Sequence, residues 1–419
     1  MPEFIHLFKK QLSAEIIEET LKPKIDLSGK FRENWIGRDW IETSPDATLE
    51  VLGIDSSSQR FTTPHGGVFY VVRAIGISRN KKYRELISGF DFCPNTTEES
   101  YIMGRKREWL EHLMALRAME DGFSGFILFD GSIYGREVHL PMETSFANDR
   151  AFMIEYFETL LKLLEMSKKE RIPIVGISKE SRSSFFREYL LMQLAIEMKE
   201  EIGFEEGELV EFLSNILDHR SGALKKINEV KNEKFRGILL ELLSRKPDFS
   251  LILEHANSAG YTVPLVLGAS ARWRREVRQI LKDPTEFVEK QFPVSSQDSD
   301  FINRAIDVIA RIPEMPSVVS FHVLPSTIDT PLRVDVISWF FGLDRKLADV
   351  GWPERVNADI EKILKVISAG YCGPENYNIW LKSAHDAVKL TRENFENLYL
   401  RMFFEISNSY KFGRRVFYG

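Results

Sequence analysis

The chain reads as an α/β protein, a mixed sheet flanked by helices with a largely helical insertion. Three observations predict this class. Apolar runs bounded by Gly, Pro and Asp crowd residues 48–92. Helical periodicity then alternates with short apolar runs as far as Ile177. Helical patterns close the chain after residue 353. Strands first, then helix–strand alternation, then helices is the order expected of a mixed sheet with helices on it.

Residues 4–22 carry a helical stripe of Phe4, Leu7, Phe8, Leu12, Ile16, Ile17 and Leu21. Trp35 and Trp40 follow in a polar connection. The first strand, Val51-Leu52-Gly53-Ile54, runs into Asp55 and a turn-forming Ser56-Ser57-Ser58. Residues 67–76 and 86–90 read as two further strands, with Pro64-His65-Gly66-Gly67 as a hairpin turn. A helix over 99–120 precedes the strand Phe126-Ile127-Leu128-Phe129, which runs into Asp130-Gly131-Ser132. A helix over 148–168 and a strand over 172–177 come next. Residues 183–312 are charge-rich and mostly helical, and are expected to form the insertion. Strand patterns return at 318–323 and 332–337, and helices are expected at 354–368, 379–390 and 393–408. The division expected is therefore 1–182 as the N-terminal helix and first part of the core, 183–312 as insertion, and 313–419 as the rest of the core.

With 43% hydrophobic and 28% charged residues, the 419-residue chain has an ordinary globular composition. No apolar run reaches the ~18 residues of a membrane span, and no secretory signal is evident at the N-terminus. Cys93 and Cys372 are too few for a disulfide framework or a cysteine zinc site, so a cytoplasmic protein is expected. The net charge of −6 excludes a generally basic nucleic-acid coat. It does not exclude metal-dependent DNA chemistry, which gathers acid at the site and base in local patches.

The repeated passage from apolar strand to Asp is the main chemical signal. A carboxylate at the end of a buried strand loses hydration unless a cation or donor compensates. Asp55 and Asp130 on neighbouring strands would seat a hard divalent metal, although each alone reads equally as an ordinary turn residue. The intervening helix carries Glu108 and Glu111, of which Glu111 lies beside the buried stripe of Leu110, Leu113, Met114 and Ala118. Lys179 follows a strand end, where it suits a phosphate or a charged transition state, although a surface loop lysine is the default. Arg333 and Asp335 share one face of an apolar strand, as a structural pair or a functional one. His385 sits beside the apolar face of Leu381, Ala384 and Val388, after a loop containing Tyr371, Gly373, Pro374 and Tyr377. The basic run Arg272-Trp273-Arg274-Arg275 reads as a solvated helix face in preference to a nucleic-acid contact.

Six texts in order resemble the NurA family of DNA-end nucleases: Gly53-Ile54-Asp55-Ser56-Ser57, Leu110-Glu111, Leu128-Phe129-Asp130-Gly131-Ser132, Gly176-Ile177-Ser178-Lys179, Leu332-Arg333-Val334-Asp335, and Tyr377 through Ala384-His385. The resemblance implies an RNase H-like core, two manganese or magnesium ions, and 5′-to-3′ exonuclease action on DNA, with single-strand endonuclease activity besides. It further implies a homodimer that works with a HerA-like hexameric ATPase in resecting DNA double-strand breaks. Asp55, Glu111, Asp130 and His385 would be the metal ligands, with Asp55 bridging both ions. Lys179 and Arg333 would hold phosphate oxygens, and Tyr377 would stack on a base or grip a phosphate. Glu108 against Glu111 and Tyr371 against Tyr377 stay open, and Asp335 stands where the family pattern has Glu. The competing class is a non-catalytic DNA-binding partner subunit of a hexameric DNA translocase, which would have no need for the retained acidic set. The C-terminal aromatics Phe403, Phe404, Tyr410, Phe412, Phe417 and Tyr418 would either dock a partner or pack on the protein's own core.

Overall fold

In a computed structural model the structure describes residues 2–11, 22–41, 48–218 and 220–407. Leu12, Ile16, Ile17 and Leu21 of the N-terminal stripe, and the aromatics from Tyr410 onward, lie outside the described residues. The chain divides into two compact units, Met1–Trp35 with Arg182–His255, and Ile36–Ser181 with Ala256–Gly419.

The first unit is helical among its described residues. Its helices include Ser28–Glu33, Phe185–Glu197, Glu206–Asp218, Glu233–Ser244 and Asp248–His255. Phe31, Phe186, Leu190, Leu209, Leu213, Phe235 and Ile238 are buried within it. Two polar links sit among them. Arg187 and Glu241 pair at 2.7 Å, both almost wholly buried, and Asp248 accepts the amides of Phe186 and Arg187.

The second unit is built on one mixed sheet, which has eleven strands among the described residues. They are β1 (Trp35–Gly37), β2 (Val51–Thr62), β3 (Gly67–Ile77), β4 (Lys82–Phe92), β5 (Phe126–Asp130), β6 (Ile174–Lys179), β7 (Gly260–Thr262), β8 (Leu265–Leu267), β9 (Val318–Leu324), β10 (Leu332–Ile337) and β11 (Glu354–Arg355). The spatial order is β1-β7-β9-β10-β6-β5-β2-β3-β4, with β8 on β9 and β11 on β8. Strands β2 to β4 form an antiparallel meander, and β5 and β6 add on parallel beside β2. The labelled helices are α1 (Thr96–Glu120), α2 (Phe152–Glu170), α3 (Ala271–Lys282), α4 (Pro284–Gln291), α5 (Ser299–Arg311), α6 (Glu361–Gly370) and α7 (Ile379–Val388). Asn95 caps α1 by accepting the Thr97 and Glu98 amides, which satisfies donors the helix cannot pair internally.

Side chains alternate across the sheet, and the two faces have separate cores. Leu52, Ile54, Ile127 and Phe129 pack with α1, α2 and the apolar faces of α3, α4 and α5. Val51, Leu128, Val175, Ile177 and Val334 pack with α6 and α7. Residues 256–312, expected within the insertion, therefore group with the sheet, since Trp273, Val277, Val288 and Val308 bury their side chains in its core.

Other expectations need correction. Strand β2 does not turn at Asp55. Its ladder with β3 continues to Thr62↔Val68, so Ser56 to Thr62 stay extended. The turn at Asp130 is present, and Gly131 there takes φ +123°, which L side chains rarely adopt. The helix expected from 354 begins at Glu361, because Glu354 and Arg355 pair with β8. Trp40 is buried, with its indole N–H donating to the Leu324 carbonyl, so the connection around it is not simply polar. Among the described residues no helix is long and apolar enough to cross a membrane.

Candidate metal centre

The site begins where a parallel strand stops. Strands β2 and β5 pair from Val51↔Phe126 to Ile54↔Phe129, so Asp130 at the end of β5 comes level with Asp55 in the middle of β2. By alternation both carboxylates point to the α6–α7 face, as Val51 and Leu128 do.

Helix α7 supplies the third group. Asn378 caps it by accepting the Trp380 and Leu381 amides, and Leu381, Ala384 and Val388 form its buried side. Gly53 lets it lie against β2, because a Cβ there would come within 2.6 Å of the Trp380 carbonyl. At its other end Arg73 of β3 donates to the carbonyls of Val388 and Lys389, a cation on the negative end of the helix. The Leu390 amide donates to Ser57 Oγ at 3.0 Å. So held, α7 presents His385, and its Nδ1 lies 2.9 Å from Asp55 Oδ2.

One ligand atom each from Asp55, Asp130 and His385 lies within 4.8 Å of the others. Asp55 is buried, Asp130 half-buried and His385 exposed, so the cluster opens from the sheet towards solvent. Burial pushes the Asp55 carboxyl above the usual carboxylate range, offset by the Ser56 amide and reinforced by the charge of Asp130. Two carboxylates and an imidazole suit a hard or borderline divalent cation.

Lys179 at the end of β6 stands beside the cluster, with Nζ 3.6 Å from Asp130 Oδ2 and 4.4 Å from the centre of the Tyr377 ring. The Tyr377 hydroxyl is pushed up, first by burial and then by Asp130. Tyr371 is elsewhere, donating to Asp329.

Glu111 is not part of the three-ligand cluster. It belongs to α1, on the other face, and accepts from Ser56 Oγ and from the buried Arg136. Ser56 and Asp55 are consecutive on β2 and point to opposite faces, which is why a helix residue near one does not align with the other. Glu108 is further committed, to Arg105, His139 and Tyr156. Arg333 is bound within the sheet. Its guanidinium is buried, bonded to Asp335 at 2.9 and 3.0 Å and to Ser320, and Asp335 accepts from Ser132 Oγ and the Tyr134 amide. The pair ties β10 to the turn after Asp130. In the basic run, Trp273 is buried in the core and Arg274 donates to the Ala269 and Gly351 carbonyls.

Ser56, Arg107 and Arg136 were missed as neighbours of the site. Arg107 donates from Nε to Ser56 Oγ at 3.1 Å and from Nη2 to the Ser56 carbonyl at 2.8 Å, with Nη2 3.9 Å from Asp55 Oδ1. Its one sequence signal is position, one helical turn before Glu111.

The crystal structure of the NurA nuclease from Sulfolobus solfataricus is similar to the chain at a TM-score of 0.54, with 14% identity over 98% of each chain. NurA with manganese, at 0.41 and 14% over 98% of each, and NurA bound to dAMP and manganese, at 0.39 and 14% over 98% of this chain and 97% of that one, are also similar. No curated protein matches the chain. A family model described as the NurA domain matches residues 49–390, from the start of β2 to just past α7. Mixed sheet, matched domain and ligand cluster together define a divalent-metal-dependent nuclease. The chain belongs to the NurA family.

Proposed function

We propose that this nuclease degrades DNA ends from 5′ to 3′ on an RNase H-like core, using manganese or magnesium held by Asp55, Asp130 and His385. The observation that carries the reading is the convergence of three ligand atoms within 4.8 Å where β5 ends, in a chain of this family. A bound divalent cation supplies an activated water and neutralises charge on the phosphodiester.

The residues divide the work. Asp55, bonded to His385, would be the ligand shared if two ions bind. The half-exposed imidazole of His385 holds Asp55 through Nδ1. Lys179 sets positive charge beside Asp130, where a phosphate approaches, and Tyr377 packs under it. Glu111 accepts from Ser56 and Arg136, and to join the ligand set it would have to give up those bonds. Family membership also supports resection alongside a HerA-type ATPase as a homodimer.

Digestion of DNA carrying a label at either the 5′ or the 3′ end tests the reading. Purified protein is expected to release 5′-terminal nucleotides first, with Mn²⁺ and not with EDTA, and the Asp55→Ala protein to release none. Equal digestion in EDTA would remove the metal site from the chemistry, and release from the 3′ end would overturn the polarity.

A further inference from the structure

We infer that Arg107 is a phosphate clamp of the nuclease site, with one edge of its guanidinium fastened to β2 and the other left for a non-bridging oxygen of the DNA backbone. The inference rests on the nuclease reading above.

The anchored edge is well defined. Nε and Nη2 donate to the hydroxyl and carbonyl of Ser56, and the Ser56 hydroxyl donates onward to Glu111. Among the described residues Nη1 has no partner, and the side chain is 43% exposed. The 3.9 Å from Nη2 to Asp55 Oδ1 is too long for a hydrogen bond, yet it sets a full positive charge against the cluster.

Arg136 shows what an arginine that only neutralises buried acid looks like here. Its side chain is 4% exposed and paired with Glu111. Arg107 is bound along one edge and wet along the other. A guanidinium held in this way has already lost much of its freedom, so it takes a phosphate oxygen at small further entropic cost. The site also needs it. A phosphodiester approaching Asp55 and Asp130 meets two carboxylates, and the two cations described beside them are Lys179 at Asp130 and Arg107 at Asp55. Together they flank the carboxylate pair with positive charge.

The test compares the full-length wild-type protein with Arg107→Met and Arg107→Lys. Binding of a fluorescent single-stranded oligonucleotide is measured in EDTA across a KCl series, and Mn²⁺ binding by calorimetry. Arg107→Met is expected to bind DNA about tenfold more weakly, and to flatten the slope of log affinity against log salt by about 0.7, the loss of one phosphate contact. Arg107→Lys should keep the slope and recover part of the affinity, with Mn²⁺ binding alike in all three. Unchanged affinity and slope in Arg107→Met overturn the clamp. Loss of Mn²⁺ binding in step with DNA binding also overturns it, since Arg107 would then support Asp55 and not the substrate. Wild-type protein that binds DNA without cutting it sinks the nuclease reading alone, and the slope comparison still decides Arg107.

Discussion

Asp55 is costly where it stands. The residue is 4% exposed and faces Asp130, and one imidazole, one amide and the more distant charge of Arg107 only partly offset the lost hydration. Such a group stabilises the folded chain less than a neutral isostere until a cation arrives. Asp55→Asn is therefore expected to raise the melting temperature of the metal-free protein. The same variant should show no further gain with Mn²⁺, whereas saturating the wild type at about a hundred times its dissociation constant adds about 2.7 kcal/mol. Calorimetric melting with and without Mn²⁺ reads both. A variant that melts lower without metal would mean that Asp55 holds the sheet and not the ion. Glu111 is raised by burial too, but Arg136 opposes that directly, so Glu111→Gln should cost stability where Asp55→Asn adds it.

Helix α7 and strand β2 act as one device. Gly53 determines how closely they approach, and that approach places His385 over Asp55. Gly53→Ala drives a methyl group into the Trp380 carbonyl, an overpacking worth about 1–3 kcal/mol. It should also weaken Mn²⁺ binding by more than about tenfold, because His385 moves with its helix. A melting point that drops while Mn²⁺ affinity holds would show that the helix is positioned by something else. In the helical unit, Glu188 accepts from Ser184 Oγ, and burial, reinforced by Asp248, pushes its carboxyl up to about 7 from 4.5. The folded form then keeps a proton that the unfolded chain releases, so stability falls as pH rises from 4.5 to 7 and stays lower above. Glu188→Gln should flatten that fall. Melting at pH 5 and pH 8 checks it, and parallel curves for the two proteins would exclude Glu188 as the cause.

At the scale of the molecule, the two described C-terminal aromatics pack inward. Phe403 stacks on Phe69 at 4.4 Å between ring centres, and Phe404 meets Phe61 edge-on. They pack on the sheet formed by β2, β3 and β4, the second of the two roles the sequence leaves open for them. The dimer expected of the family is a separate matter, tested by light scattering at micromolar concentration. A mass of twice 48.5 kDa is the expected result, and a stable monomer would remove the homodimer from the proposal.

The sequence by itself determined the α/β class, the three strands over 48–92, and the placing of Asp55 and Asp130 side by side. These were legible because they rest on local signals: period-two apolar runs, turn residues, and acid at the end of a buried run. It misled at Asp55, where three serines read as a turn but β3 keeps them extended through ten paired positions. It placed 256–312 in the insertion, because helical periodicity does not say which core a helix covers. Only the tertiary structure decided that Glu111 turns to Ser56 and Arg136, that Arg333 is bound to Asp335, and that Arg107 stands beside Asp55 with one edge free. The physical reason is shared by all three. A charged side chain takes its role from the partners it meets in the fold, on its own strand or on neighbouring ones, and those partners lie from two to more than fifty residues away.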